Sequence, residues 1–105
     1  MSKYLVFASY SLEGVKGFQR ERANGRRDAV AKAMSAVGAK LEQMYFTFGE
    51  DDVAMVVDAP DNASIMAVSL GAAASGLCRM RTMPLITVEE ANRAIDAHLV
   101  YPKSA

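Results

Sequence analysis

The sequence has 105 residues, twelve basic and twelve acidic side chains, and a hydrophobic fraction of 51%. This length predicts one domain over residues 1–105, and the hydrophobic fraction predicts a packed core rather than a disordered chain. Because the charges balance, no overall field attracts nucleic acid or an anionic membrane, and we expect neither as a partner.

The cellular location is predicted from the cysteine content and the apolar segments. Cys78 is the one cysteine, so it can form no internal disulfide, and the apolar stretch near the N-terminus is too short for a secretory signal. The apolar segment before Cys78 is shorter than the roughly 18–20 residues that cross a bilayer. We therefore expect a soluble, cytoplasmic protein.

The first part of the chain predicts a strand followed by helical structure. Tyr4–Tyr10 is rich in β-branched and aromatic residues, which are typical of a strand. From Ser11 the apolar residues recur at spacings of three or four, as in a helix with one buried side. Gly25 predicts a break between a short turn and a longer helix, and Gly38 is suited to the left-handed position that ends one.

Two strands are predicted in the middle of the chain. Met44, Phe46 and Phe48 alternate with other residues, which predicts a strand with one strongly apolar face. The segment 53–59 is nearly continuous in hydrophobicity and predicts a central strand. The short GEDD segment between them, residues 49–52, predicts an antiparallel hairpin.

A second helix is predicted between Asp61 or Asn62, which can cap its start, and Gly76, which can end it. Its buried stripe is predicted to consist of small and apolar residues at helical spacing: Ala63, Met66, Ala67, Leu70 and Ala74.

The next segment alternates again and predicts a fourth strand. Cys78 and Met80 fall on one side of this strand, and Arg79 and Arg81 fall on the other.

A last helix is predicted to begin at Thr87, since Thr87 and Glu90 have the spacing of a capping box. We expect it to run through Ile95 towards Leu99 and to end before the Tyr-Pro pair at 101–102.

The predicted order is β-α-β-β-α-β followed by a C-terminal helix, which is the ferredoxin-like α+β plan. In this plan an antiparallel sheet is covered by helices on one face only. Tyr45, with residues of the first and third strands, gives the other face an apolar and aromatic character. Because such a face is normally covered, we expect a homodimer or higher homo-oligomer packed sheet to sheet.

Three segments resemble the GYD-domain proteins of bacteria and archaea: residues 4–18, 26–64 and 79–91. The resemblance implies a subunit similar to those of the dimeric α+β barrels, and a family without a defined biochemical role. Proteins of this wider architecture include small cofactor-free monooxygenases, isomerases, haem enzymes and amino-acid-sensing domains, so the fold alone selects no chemistry.

The family is named for a Gly-Tyr-Asp pattern that usually appears as Gly-Glu-Tyr-Asp. Gly49, Glu50 and Asp52 match this pattern, whereas Asp51 stands where the tyrosine is expected. A function that depends on that tyrosine is therefore not implied for this chain.

The acidic cluster of Glu50, Asp51 and Asp52 has two interpretations. It is either a hard-cation or acid/base site, or a solvated hairpin turn. Adjacent residues of a strand point to opposite faces, and a calcium loop spreads its ligands over about a dozen residues, so we favour the turn and predict no metal.

The candidate ligand-binding residues are Arg79, Arg81 and Tyr45, on the sheet face away from the helices. Arginine donors in a partly dry cavity can hold a small anionic ligand such as a carboxylate or phosphate. The alternative is that the arginines pair with Glu42 or with acids across the interface, because a buried arginine needs compensation.

Two further reactive side chains are interpreted structurally. His98, the one histidine, is expected at a helix end, with haem binding as the alternative, and we predict no cofactor. Cys78 is expected to be a small buried hydrophobe rather than a nucleophile.

These patterns favour a homo-oligomeric small-ligand-binding or assembly domain with a candidate anion site between sheets. The alternative is a small cofactor-independent monooxygenase or isomerase, in which a tyrosine or carboxylate beside the same cavity handles a proton. No residue is assigned a catalytic role by the sequence.

Overall fold

The computed structural model describes residues 1–103 as four strands and three helices in the order β-α-β-β-α-β-α. The bounds are β1 Ser2–Tyr10, α1 Leu12–Ser35, β2 Lys40–Phe46, β3 Val53–Ala59, α2 Asn62–Ser75, β4 Cys78–Pro84 and α3 Val88–Ala97.

The four strands form one antiparallel sheet in the order β2-β3-β1-β4. β1 lies in the centre of this sheet and pairs with β3 on one side and β4 on the other. This is the ferredoxin-like arrangement, and it confirms the predicted fold class, the β2–β3 hairpin and the central position of β3.

The core lies between the sheet and the helices α1 and α2. Alternate residues of β1 and β3 face the helices and are buried together with Met34 of α1 and Ile65 of α2. Tyr4 is 2% exposed, and its hydroxyl donates to Asn62 Oδ1 at 2.6 Å, so the phenol is satisfied inside the chain. We call this side of the sheet the covered face and the opposite side the open face.

The helix α1 is broken at Arg22, whose backbone has φ 66° and ψ 172°. The predicted break near Gly25 is therefore present, three residues earlier. At the start of α1, Ser11 caps the helix by accepting from the Gly14 N–H, and a Cβ on Gly14 would lie 2.0 Å from the Leu77 carbonyl oxygen. Only glycine allows this close approach between α1 and the segment before β4.

The β2–β3 connection differs from the prediction at Phe48. β2 ends at Phe46, and Phe48 lies in the loop with its side chain fully exposed, so it does not extend the apolar face. Gly49 has φ 100°, a conformation that favours glycine and turns the chain toward β3.

The helix α2 has the predicted caps but a different buried side. Asp61 accepts from the Ser64 N–H, and Gly76 ends the helix with φ 74°. The predicted stripe was wrong, because Met66 and Leu70 are exposed whereas Ile65 is buried. The helix is apolar on nearly every side, so spacing alone does not select the side that meets the sheet.

The helix α3 begins with the predicted Thr87–Glu90 capping box and ends at Ala97, before the predicted Leu99. His98 stops it by adopting a left-handed conformation with φ 47°. Every residue of α3 is exposed, and α3 takes part in none of the substantial contacts between elements. The described chain extends 55 Å along its longest axis, and its radius of gyration of 16.7 Å exceeds the about 13 Å of a compact domain this size.

Among residues 1–103, no helix has both the length and the apolar character needed to cross a membrane.

Candidate functional site

The open face is apolar along its middle. The register places Tyr45, Ala54, Phe7 and Arg81 in one row across the four strands, and the next row contains Gln43, Val56, Leu5 and Met83. Tyr45 is 62% exposed, and Met83 is also exposed. These side chains therefore form an unpartnered apolar surface, as the sequence predicted for this face.

Arg81 lies at one end of this surface and is paired within the chain. Its guanidinium carbon is 4.5 Å from the centre of the Phe7 ring, and its Nη2 is 2.8 Å from Asp51 Oδ2. Internal pairing was one of the two predicted alternatives, but the partner is Asp51 rather than Glu42. Glu42 instead accepts from Lys3 Nζ at 2.8 Å, at the other end of the strands.

Arg79 lies on the same face as Arg81 and opposite Ser9 of β1. No carboxylate within residues 1–103 forms an ion pair with it. Both arginines line an open cavity of about 390 Å³ that also includes Ser9, Glu50 and Asp51. Within residues 1–103, the guanidinium of Arg79 is therefore the one in this cavity that lacks an ion-pair partner.

Tyr45 does not join the two arginines. It occupies the same row as Arg81, but β3 and β1 lie between their strands, which separates the two positions by three strand spacings, about 14 Å. The structure thus brings Arg79 and Arg81 together and places Tyr45 at the opposite edge of the open face.

The GEDD segment is a hairpin connection whose acids bind the ends of neighbouring strands. The Asp52 N–H donates to the Ala8 carbonyl at 2.8 Å, and the Tyr10 N–H donates to Asp52 Oδ2 at 2.7 Å. Asp51 Oδ1 accepts from the Ser9 hydroxyl at 3.3 Å. Within residues 1–103 no cluster of acids, histidine and cysteine has the geometry to hold a metal ion. These contacts support the turn interpretation over the cation site.

A second polar cluster lies on the covered face and was not predicted. The Arg26 side chain is 12% exposed, its Nη2 is paired with Glu21 across the break in α1, and its guanidinium carbon is 5.7 Å from the centre of the Tyr10 ring. The Tyr10 hydroxyl and Arg26 Nε are buried and have no partner within the described chain. Both line a small cavity of about 30 Å³ beside Cys78, and this volume suits one water molecule.

Burial in this cluster favours the neutral forms of Tyr10 and Cys78. Burial raises the pKa of Tyr10 to about 12, and burial also raises the pKa of the Cys78 thiol. Tyr10 is therefore a hydrogen-bond donor at neutral pH, and Cys78 is a half-buried thiol with little thiolate character, as the sequence predicted. No local sequence signal reveals this cluster, because it depends on the break of α1 at Arg22, which brings Glu21 and Arg26 together.

The sheet order, the helix positions and the open face define a ferredoxin-like α+β protein. The model of the GYD domain matches residues 4–95, and the chain belongs to the GYD-domain family. The crystal structure of TTHA0845 from Thermus thermophilus is similar to this chain, with 17% sequence identity and a TM-score of 0.51, covering 84% of this chain and 96% of that one. This likeness concerns the fold. No curated protein matches the sequence significantly.

Proposed function

We propose that the protein is a homo-oligomeric ligand-binding domain whose copies pair through the open face and close around an anion site at Arg79 and Arg81. The observation that carries this proposal is the continuous row of apolar and aromatic side chains on the open face, which has no partner within the described chain. Monomeric proteins rarely expose such a surface on a sheet.

The two ends of the open face suit such pairing. At one end Lys3 Nζ lies 2.8 Å from Glu42 and 3.7 Å from Asp58, and at the other end Asp51 compensates Arg81, so each charge at these ends keeps an opposite charge beside it when a second sheet approaches. Arg79 remains without an ion-pair partner within the described residues. A bound anion would supply the missing charge once the second sheet excludes water from the cavity.

The pairing of sheets is tested by sedimentation equilibrium of wild type and Tyr45→Asp at micromolar concentration. We expect wild type to form a dimer and Tyr45→Asp to shift strongly toward monomer, because the variant places a charge in the apolar contact. Phe48→Asp is the matched control, since Phe48 is exposed in a loop outside the open face. A wild type that remains monomeric would rule out the proposal.

The anion site is tested by the thermal shift of the dimer with inorganic phosphate and with succinate. Stabilisation of wild type that is lost in Arg79→Gln and reduced in Arg81→Gln would support the site. Arg27→Gln is the control, because Arg27 is exposed beside Asp28 on α1, which lies on the covered face of the sheet. Equal stabilisation of all four proteins would show that the anions act without this site.

A further inference from the structure

We propose that the helix α3 of one copy docks into the groove between α1 and α2 of a second copy. This contact involves the helical layer, so it goes beyond the pairing of open faces. Within residues 1–103, both the groove and the amphipathic helix α3 lack a partner. The linker before α3 is too short for docking within one chain, and the two helices α1 and α3 have opposite net charges.

The groove has the size and lining of a helix-binding site. It has a volume of about 400 Å³ and lies between the second part of α1 and the facing side of α2, with Cys78 and Met80 of β4 at its floor. Its walls are mostly small residues, which allow the backbone of a docked helix to approach closely. They include Ala29, Ala33, Ala67, Gly71 and Ala72.

The helix α3 has one apolar side and lacks support of its own. Val88, Ala91 and Ile95 share one side of the helix, and both Val88 and Ile95 are more than two-thirds exposed. A helix of ten residues is marginal in water without packing, even with a good capping box. Within residues 1–103, no other element covers the apolar side of α3. This side therefore needs a surface from another molecule.

The groove of the same chain is out of reach. The Leu85 N–H still donates to the Lys3 carbonyl at 2.9 Å, as an extension of the sheet, and Thr87 already caps α3. Only Ile86 lies between them. One residue spans at most about 3.6 Å, whereas the chain would have to rise past α1 or α2, which are about 10 Å thick. The groove that α3 can enter is thus that of a second copy.

The charges of the two surfaces also match. α1 carries six basic and three acidic residues, whereas α3 carries three acidic residues and one basic residue. Arg26 in the wall of the groove is already paired with Glu21, so the attraction comes from the opposite net charges of the two helices. Opposite charges steer the two surfaces together and disfavour docking of the acidic helix elsewhere.

Cross-linking between copies tests this docking directly, because Cys78 in the floor of the groove is the natural chain's one cysteine. Wild type is mixed with a size-tagged Ile95→Cys/Cys78→Ser variant and treated with a short bismaleimide. We expect a cross-linked product that contains one chain of each kind. The matched control is Arg93→Cys/Cys78→Ser, which places the thiol on the opposite side of α3, and we expect several-fold less product from it.

A second variant blocks the groove without disturbing the core. A Cβ on Gly71 would meet open space, so Gly71→Phe is expected to fold and to fill the groove, and it should abolish the cross-link to Ile95→Cys. Equal cross-linking from positions 93 and 95, or a cross-link that survives Gly71→Phe, would overturn the proposal. So would an intrachain cross-link in a single Ile95→Cys chain at high dilution, which would place α3 in its own groove. The absence of any cross-link, also when an exposed groove thiol is supplied by Ala33→Cys/Cys78→Ser in place of wild type, would overturn it and would leave the groove to another occupant, such as a small apolar ligand.

Tyr45→Asp separates this contact from the pairing of open faces. Cross-linking that persists in the Tyr45→Asp background would support docking of α3 even if the open faces do not pair.

Discussion

Val56 and Val57 are neighbours in β3, yet they meet different surroundings. Val57 lies on the covered face and is fully buried against the helices, whereas Val56 lies on the open face and is half-buried with no element above it. The same alternation runs along β1, where Val6 is buried and Phe7 is half-buried. The comparison teaches that one chain completes the covered face by itself, while no element within residues 1–103 covers the open face.

The largest expected difference is between Val57→Ala and Val56→Ala. Val57→Ala should lower the free energy of unfolding by about 2 kcal/mol, because it removes buried methyl groups and leaves a cavity. In dilute solution Val56→Ala should lower the free energy of unfolding by well under about 1 kcal/mol, as is usual for a site without close packing. Urea denaturation measures both values.

The concentration dependence sharpens this comparison. The cost of Val57→Ala should be the same at all protein concentrations, whereas the cost of Val56→Ala should grow as copies associate. Equal costs for the two variants in dilute solution would contradict the distinction between the faces.

A smaller effect is expected when a tyrosine hydroxyl is removed, Tyr4 on the covered face or Tyr45 on the open face. Tyr4→Phe loses the 2.6 Å hydrogen bond to Asn62 and should lower the free energy of unfolding by about 1 kcal/mol. Tyr45→Phe is the matched control, and we expect no measurable change in dilute solution, because Tyr45 is 62% exposed. Thermal denaturation of both variants checks this, and a larger loss from Tyr45→Phe would reverse the assignment of the faces.

A further effect is expected at alkaline pH, from Tyr10 at the end of the covered face. An unfolded tyrosine ionises near pH 10, whereas burial raises the pKa of Tyr10 to about 12. The unfolded state therefore loses this proton first, and the free energy of unfolding should fall as the pH rises from about 10 to about 12.

Tyr10→Phe should weaken the pH dependence of the free energy of unfolding. Urea denaturation measures this dependence from about pH 9 to the alkaline limit of folding, a range that covers the rise from the ordinary tyrosine pKa toward that of Tyr10. Tyr101→Phe is the control, since Tyr101 is exposed near the C-terminus and its loss should leave the slope unchanged. If the free energy of unfolding falls equally steeply with pH in wild type and Tyr10→Phe, the Tyr10 phenol is not held in a buried position.

Local patterns were sufficient to predict the fold. The continuous hydrophobicity of residues 53–59 predicted β3, the alternation in β4 predicted the shared side of Arg79 and Arg81, and the residues at the ends of α2 and the start of α3 predicted the caps. Each of these signals depends on neighbours within a few residues, which the sequence displays directly.

The features that the sequence did not predict have a common physical cause, since they depend on contacts between residues that are distant in sequence. The buried side of α2 is selected by the sheet, because the helix itself is apolar nearly all round. The pairing of Arg81 with Asp51 joins residues 30 positions apart. The cluster of Tyr10 and Arg26 depends on where α1 breaks, and Arg22 carries no sequence signal for its left-handed conformation.

The central position of β1 has a consequence for the order in which the protein is made. β1 leaves the ribosome before both of its partners, β3 and β4, and the pairing with β4 reaches Pro84. The β2–β3 hairpin is the one pairing of the described sheet that is local in sequence, and it can form earlier. Both edges of β1 therefore wait unpaired during most of synthesis, so the nascent chain is most exposed to strand-to-strand aggregation through its N-terminal residues.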